Sequence, residues 1–278
     1  MSIFRDIALV REVLLATTPV CLVQVVATRG SVPRATGAWM AVWSEGAAGT
    51  IGGGQLEYQA IAQARAWLQQ SPASLEPQSY DYPLGPALGQ CCGGRVSLSY
   101  SPLTPQRLKE LTQMAGTTLS PVALFGGGHV GHALVRVLLD LPFHVHWVDS
   151  RDQPFQPLWP ATHAAPSNLT LEHSDPVHHA VQDLAAGSHV LIMSYSHAED
   201  FDILLACLER RRHADDLPFL GLIGSQSKWA TFSSRLRQRG CTQSEIDQVT
   251  CPIGIDGIRG KEPEVIAVSV AAQLLQKI

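Results

Sequence analysis

The sequence predicts an α/β protein whose second half is a doubly wound parallel sheet and whose first half is a smaller α/β domain. Three observations lead there. After residue 120, strand-length apolar runs alternate with helix-length runs, the order of a parallel sheet covered on both faces. The first of these strands, VALFG, leads directly into the glycine-spaced turn GGGHVG and then into an apolar-periodic helix. Before residue 115 the strands are fewer and are separated by glycine and proline turns.

Taken in order, the chain opens on MSIFRDIALVREVLLATT, where Arg5, Asp6, Arg11 and Glu12 interrupt the apolar positions. Charges so placed suit an amphipathic helix and not a signal peptide. A strand CLVQVVAT follows, then the loop RGSVPRATG, a strand AWMAVW, a glycine turn and a helix over residues 55–70. The proline-rich stretch SPASLEPQSYDYPLGP carries no assigned element and leads to QCCGG, a strand RVSLSY and a helix over residues 105–114. The segment AGTTLSP combines small, polar and proline residues and marks a boundary between domains at residues 1–115 and 120–278. Beyond it run the strand VALFG, the helix HVGHALVRVLLDL and the strand FHVHWVD. An unassigned stretch to about Ser174 comes next, and VHHAVQDLAAG, SHVLIMSY, FDILLACLERRR, PFLGLIG and KWATFSSRLRQRG then alternate.

Composition narrows the function. The 278 residues carry a net charge of −4 with 16% charged side chains, which gives no broad basic field for nucleic acid. The apolar run at residues 20–27, broken by Gln24, falls well short of the ~20 residues that a membrane span needs. The expected location is therefore cytoplasmic, with no membrane and no nucleic-acid partner. Six cysteines, Cys21, Cys91, Cys92, Cys207, Cys241 and Cys251, show neither a disulfide framework nor paired C-x-x-C spacing, so free thiols are expected.

The strongest local signal is Gly126, Gly128 and Gly131 with His129 at the start of a helix. Glycines there allow a tight turn and close backbone approach, and free amides at the helix start attract phosphate. Asp149, about 20 residues on at the end of the next strand, stands where an acid reads a ribose diol. The motif predicts a phosphate-bearing ligand and leaves open whether it is a nicotinamide dinucleotide, another nucleotide or a pterin phosphate. For a dehydrogenase, His197, Glu199 and Asp200 are the candidates for a hydride-transfer site. In the first half, Gly52, Gly53 and Gly54 before a helix form a second candidate anion nest, and Arg29 and Arg34 can clamp a phosphate from the side. The adjacent thiols Cys91 and Cys92, followed by two glycines, suit a soft metal or a thiolated cofactor.

Together RGSVPRATGAWM, GTIGGGQLE, QCCGG, FGGGHVGHAL, FLGLIGSQSKWATFSSRL and CPIGIDGIRGKEPEVIAVSVAAQLL resemble the XdhC/CoxI family, the xanthine dehydrogenase accessory proteins, from about Arg29 to Leu275. The resemblance implies a C-terminal Rossmann-like domain, a homodimer and a cofactor chaperone, and leaves open whether it has a catalytic step of its own. It further implies binding of molybdenum cofactor (molybdopterin), its sulfuration with a cysteine desulfurase, and delivery to apo-xanthine dehydrogenase. By position, Cys92 would face the metal or the dithiolene with Cys91 beside it, and the two glycine turns would hold phosphate. Lys261 and Glu262 match the family without an assigned role. The expected ligand site is a cleft between the domains at the carboxyl ends of the second-domain strands. The alternative is an NAD(P)-dependent oxidoreductase using the Rossmann-like domain alone.

Overall fold

The computed structural model describes residues 3–70, 76–85, 93–117, 119–155 and 166–278. The chain forms two compact units, Met1–Ala115 and Gly116–Ile278.

In the first unit, helix α1 (Ile3–Leu15) is followed by β1 (Cys21–Arg29), β2 (Trp39–Val42) and β3 (Ala47–Gly49), then α2 (Gly54–Leu68), β4 (Gln78–Pro83), β5 (Arg95–Pro102) and α3 (Pro105–Gly116). The strands make one five-stranded antiparallel sheet in the order β3-β2-β1-β5-β4. The period-2 geometry of β1 sets the layers. Val23 and Val25 pack with Leu56, Ala60 and Trp67 of α2, whereas Leu22 packs on the opposite face with Ile7 and Val10 of α1 and Leu108 and Leu111 of α3. The sequence pattern indicates only a turn at β3 and no element at β4. β3 is three residues long, and β4 is an edge strand that is mostly exposed, so neither carries the apolar alternation of a half-buried strand.

In the second unit β6 (Ser120–Phe125) leads to α4 (His129–Leu138), β7 (Phe143–Asp149), β8 (Leu169–His173), a 3-10 helix (Val177–Asp183) and β9 (His189–Ile192). Then come α5 (His197–Ala214), β10 (Phe219–Leu222), α6 (Gln226–Gln238), α7 (Gln243–Asp247), β11 (Val249–Thr250) and α8 (Pro263–Leu275). All six strands are parallel, in the order β11-β10-β9-β6-β7-β8, so the winding reverses between β6 and β9. That order is the doubly wound sheet which the alternation of strands and helices implied. One face is covered by α5, α6 and the 3-10 helix through residues such as Phe201, Leu204 and Phe232, the other by α4 and α8 through Leu134, Leu138, Val270 and Leu274. β8 lies in the stretch to which the sequence pattern assigns no element. It is the sheet's edge, and its Leu169–His173 side chains are half-buried or exposed. Among the described residues no helix is long and apolar enough to cross a membrane.

Candidate functional site

At the point where the winding reverses, β6 ends in the glycine turn. Gly126 has φ +123°, and a Cβ there would lie 2.1 Å from the Met193 carbonyl oxygen beyond β9. A Cβ on Gly131 would lie 2.1 Å from the Gly126 carbonyl oxygen. Strand, turn and helix are thus pressed together, and only glycine fits at either place. Gly128 is under a different constraint. It is the N-cap of α4 with φ −83°, a Cβ added to it would meet nothing within 4 Å, and it supplies no side-chain cap. The first-turn amides of α4 therefore have no acceptor within the helix, and Gly127, Gly128 and His129 at its start line an opening.

That opening is a cleft of about 560 Å³ lined by Gly127, Gly128, His129, His132, Arg136 and Arg151, with Pro263 and Glu264 of α8 at its side. His129, His132 and Arg136 recur at helical spacing on one face of α4. Beneath them, the Trp147 indole N–H donates to the Gly126 carbonyl (3.0 Å), and His132 stands edge-on to the Trp147 ring, 4.7 Å between centroids. The cleft lining thus carries Arg136, Arg151 paired with Asp149, two imidazoles and the carboxylates of Asp152 and Glu264 around a helix N-terminus, and within it Arg136 and the helix start are the groups suited to an anion.

Asp149, at the end of β7, comes to this turn as the spacing implied, but its carboxylate is already engaged. It accepts from the Gly127 amide (2.5 Å), the Arg151 amide (2.9 Å), Arg151 Nε (2.9 Å) and Arg151 Nη2 (2.7 Å). Burial pushes the carboxyl up, but the Arg151 hydrogen bonds and the amides of Arg151 and Gly127 outweigh it and hold the group below the usual carboxylate range. Sequence reasoning misses Arg151, His132 and Arg136. The helical spacing of His132 and Arg136 behind His129 is the available signal, whereas nothing in the order Asp149-Ser150-Arg151 announces the fork.

The dehydrogenase candidates serve other contacts. Asp200 Oδ1 accepts from the Ser194 amide (2.8 Å) and hydroxyl (2.7 Å), and its Oδ2 is paired with Lys228 Nζ at 2.6 Å. Glu199 accepts from the Ser150 hydroxyl (2.5 Å), and His197 stands edge-on to Phe232. Lys261 and Glu262 precede α8, where the Lys261 amide donates to the Glu262 carboxylate (2.9 Å).

In the first unit, the motifs read from sequence converge. A Cβ on Gly94 would lie 2.3 Å from the Ser31 carbonyl and 2.7 Å from that of Arg29, and one on Gly52 would lie 2.5 Å from the Pro33 ring. The Arg29–Arg34 loop, the GTIGGG turn and the glycine pair after the two cysteines therefore touch, with both arginines exposed. The nest expected at Gly52, Gly53 and Gly54 is filled by the chain itself. Glu57 Oε2 accepts from the Thr50 hydroxyl (2.6 Å), the Ile51 amide (3.1 Å) and the Gly53 amide (3.0 Å), while the Gly52 amide donates to Thr50 Oγ1 (3.1 Å). The signal for this was an acid in the first turn of a helix behind a glycine run. Cys91 and Cys92 lie outside the described residues.

Comparison with known proteins adds identity of family. Residues 122–274 match the XdhC Rossmann domain, and residues 13–80 match the XdhC and CoxI family. An uncharacterized protein, YqeB of Escherichia coli (strain K12), is 28% identical over 279 residues. That alignment takes in 99% of this chain and 46% of YqeB, so the chain spans about half the length of the curated relative it matches. A crystal structure of a xanthine dehydrogenase from Bacillus halodurans superposes with a TM-score of 0.71 at 21% identity, over 99% of this chain and 95% of that one, a likeness of fold.

Proposed function

Because this chain belongs to the XdhC and CoxI family, we propose that it serves the maturation of xanthine dehydrogenase, holding molybdenum cofactor and passing it to the apo-enzyme. The observation that carries the reading is the second-unit cleft, where the glycine turn opens onto Arg136 and Arg151 at the switch point of the sheet. The residues present fit the phosphate of a molybdopterin. Gly128 leaves open the space that a Cβ would fill, the first-turn amides of α4 have no side-chain cap among the described residues, and two guanidinium groups add charge. Bound there, the cofactor would supply the molybdenum–dithiolene centre on which the recipient enzyme depends.

The chain's own part is grip and release. Several amide contacts of moderate strength hold a phosphate without leaving a buried unpaired charge behind when it departs, a charge that would cost several kcal/mol. Arg151 is tied to Asp149 and its side chain is 36% exposed, so a departing phosphate would leave it paired and not stranded. Cys92, with Cys91 beside it, is the proposed thiol contact to the metal or dithiolene. A cysteine desulfurase and apo-xanthine dehydrogenase are the proposed partners of a cytoplasmic homodimer. Arg29 and Arg34 are retained as proposed supporting cations, on the loop whose backbone Gly94 touches. The Gly52–Gly54 turn is not, because Glu57 takes the Gly53 and Ile51 amides and Thr50 takes that of Gly52.

Anaerobic purification, with molybdenum analysis and pterin fluorescence, tests the proposal on the native chain and on Cys92→Ala. Near-stoichiometric pterin and metal in the native protein, lost in the variant, is the expected result. Absence of pterin from both, together with tight nicotinamide binding, would replace the carrier by an oxidoreductase.

A further inference from the structure

We infer that Arg151 sets the ligand class of the second-unit cleft, admitting a phosphate monoester or pyrophosphate and turning away a ligand that is held by its ribose diol. This deepens the reading just given and rests on it for the cleft being the ligand site.

A dinucleotide bound at a doubly wound sheet leans its adenosine ribose on an acid at the end of the second strand. Asp149 occupies that place, and its carboxylate has no capacity left. A carboxylate offers about four lone-pair sites, and the Gly127 amide, the Arg151 amide, Arg151 Nε and Arg151 Nη2 take four. The side chain is 2% exposed. A diol would have to displace a bidentate guanidinium, the strongest class of neutral-pH hydrogen bond in proteins, and would leave Arg151 without its partner.

The fork is also held from its other side. The Arg151 guanidinium lies 5.4 Å from the centre of the Tyr195 ring, so it reaches from the end of β7 across to the segment after β9. Close packing fixes the acid beneath it, since a Cβ on Gly127 would already stand 3.1 Å from Asp149 Oδ2. The group that rejects a diol attracts phosphate. Arg151 Nη1 makes no hydrogen bond among the described residues, and the side chain lines the same cleft as Gly127, Gly128, His129 and Arg136. Asp152, which is fully exposed, and Glu264 line the same cleft, and Glu199 acts on Arg151 electrostatically. An acid that reads hydroxyls has thus become the base plate of a cation that reads phosphate.

Calorimetric titration of the full chain with inorganic pyrophosphate and with NAD+ tests this. In Arg151→Ala, pyrophosphate is expected to bind about tenfold more weakly and NAD+ about tenfold more tightly than in the native chain, the size of one charge-assisted contact. Arg151→Gln, which keeps a neutral donor beside Asp149, is expected to shift both affinities the same way by less, and it serves if the alanine variant does not fold. Unchanged or weaker NAD+ binding in both variants overturns the inference, as does a native chain that does not bind pyrophosphate. Tight NAD+ binding by the native chain overturns it too and leaves the pterin-retention experiment to be decided separately. The two expected shifts without any retained pterin strike the carrier reading alone.

Discussion

Gly126 and Gly128 sit two residues apart in one turn and face opposite constraints. Gly126 is confined by φ +123° and by the Met193 carbonyl 2.1 Å from any added Cβ, so Gly126→Ala must move backbone. The expected loss is about 2–4 kcal/mol, from positive-φ strain plus overpacking, read as a shifted urea midpoint. Gly128 has ordinary φ and open space, so Gly128→Ala should cost no more than about 1 kcal/mol as an N-cap change. Its methyl would nevertheless stand where a phosphate approaches the α4 amides, and pyrophosphate affinity should fall about tenfold, the loss of one contact. A Gly128→Ala protein that is stable and binds normally would remove the cradle. Spacing alone marks these glycines in the sequence. It does not separate packing from access, because that difference lies in a carbonyl contributed 67 residues later by Met193 (193 − 126).

Between elements, the pair Asp200–Lys228 ties the start of α5 to α6. Lys228 Nζ also donates to the Ile223 carbonyl after β10 (2.8 Å), and the Lys228 and Asp200 side chains are 9% and 3% exposed. Removing one partner strands the other, so Lys228→Met and Asp200→Asn should each cost about 3 kcal/mol, and the double variant less than their sum. Strict additivity in a double-mutant cycle would mean that the pair does not couple. A second tie is more exposed and depends on pH. Arg212, then the Thr242 amide, lower the Glu245 carboxyl from 4.5 to about 2 at the capping box of α7. Because the folded value lies below the unfolded one, this stabilisation is complete above about pH 4.5 and disappears as pH falls towards 2. Glu245→Gln should therefore be less stable than the native chain at pH 6 and indistinguishable from it near pH 2 in urea melts. Elements buried on both faces, such as β9, β10 and the later half of β6, are legible because apolar runs identify them. β3, β4 and β8 are not, since short edge strands owe their place to a neighbour's hydrogen bonds and not to their own burial.

For the molecule as a whole, the division into Met1–Ala115 and Gly116–Ile278 separates the two functional claims. The alternation of strands and helices after residue 120 makes the sheet visible in the sequence, whereas the Glu57 plug and the Arg151 fork depend on contacts that no local pattern encodes. Every described residue lining the cleft, from Gly127 to Glu264, belongs to the second unit, which has a six-stranded sheet with helices on both faces. A fragment of residues 116–278 should therefore fold cooperatively and bind pyrophosphate with the affinity and Arg151 dependence of the full chain. Cys91, Cys92, Arg29 and Arg34 all belong to the first unit. If cofactor retention requires them, the fragment should lose pterin and molybdenum on purification although its phosphate site is intact. Retention by the fragment alone, at the level of the full chain, would take the cysteine pair out of the binding site and place the whole grip on the second unit.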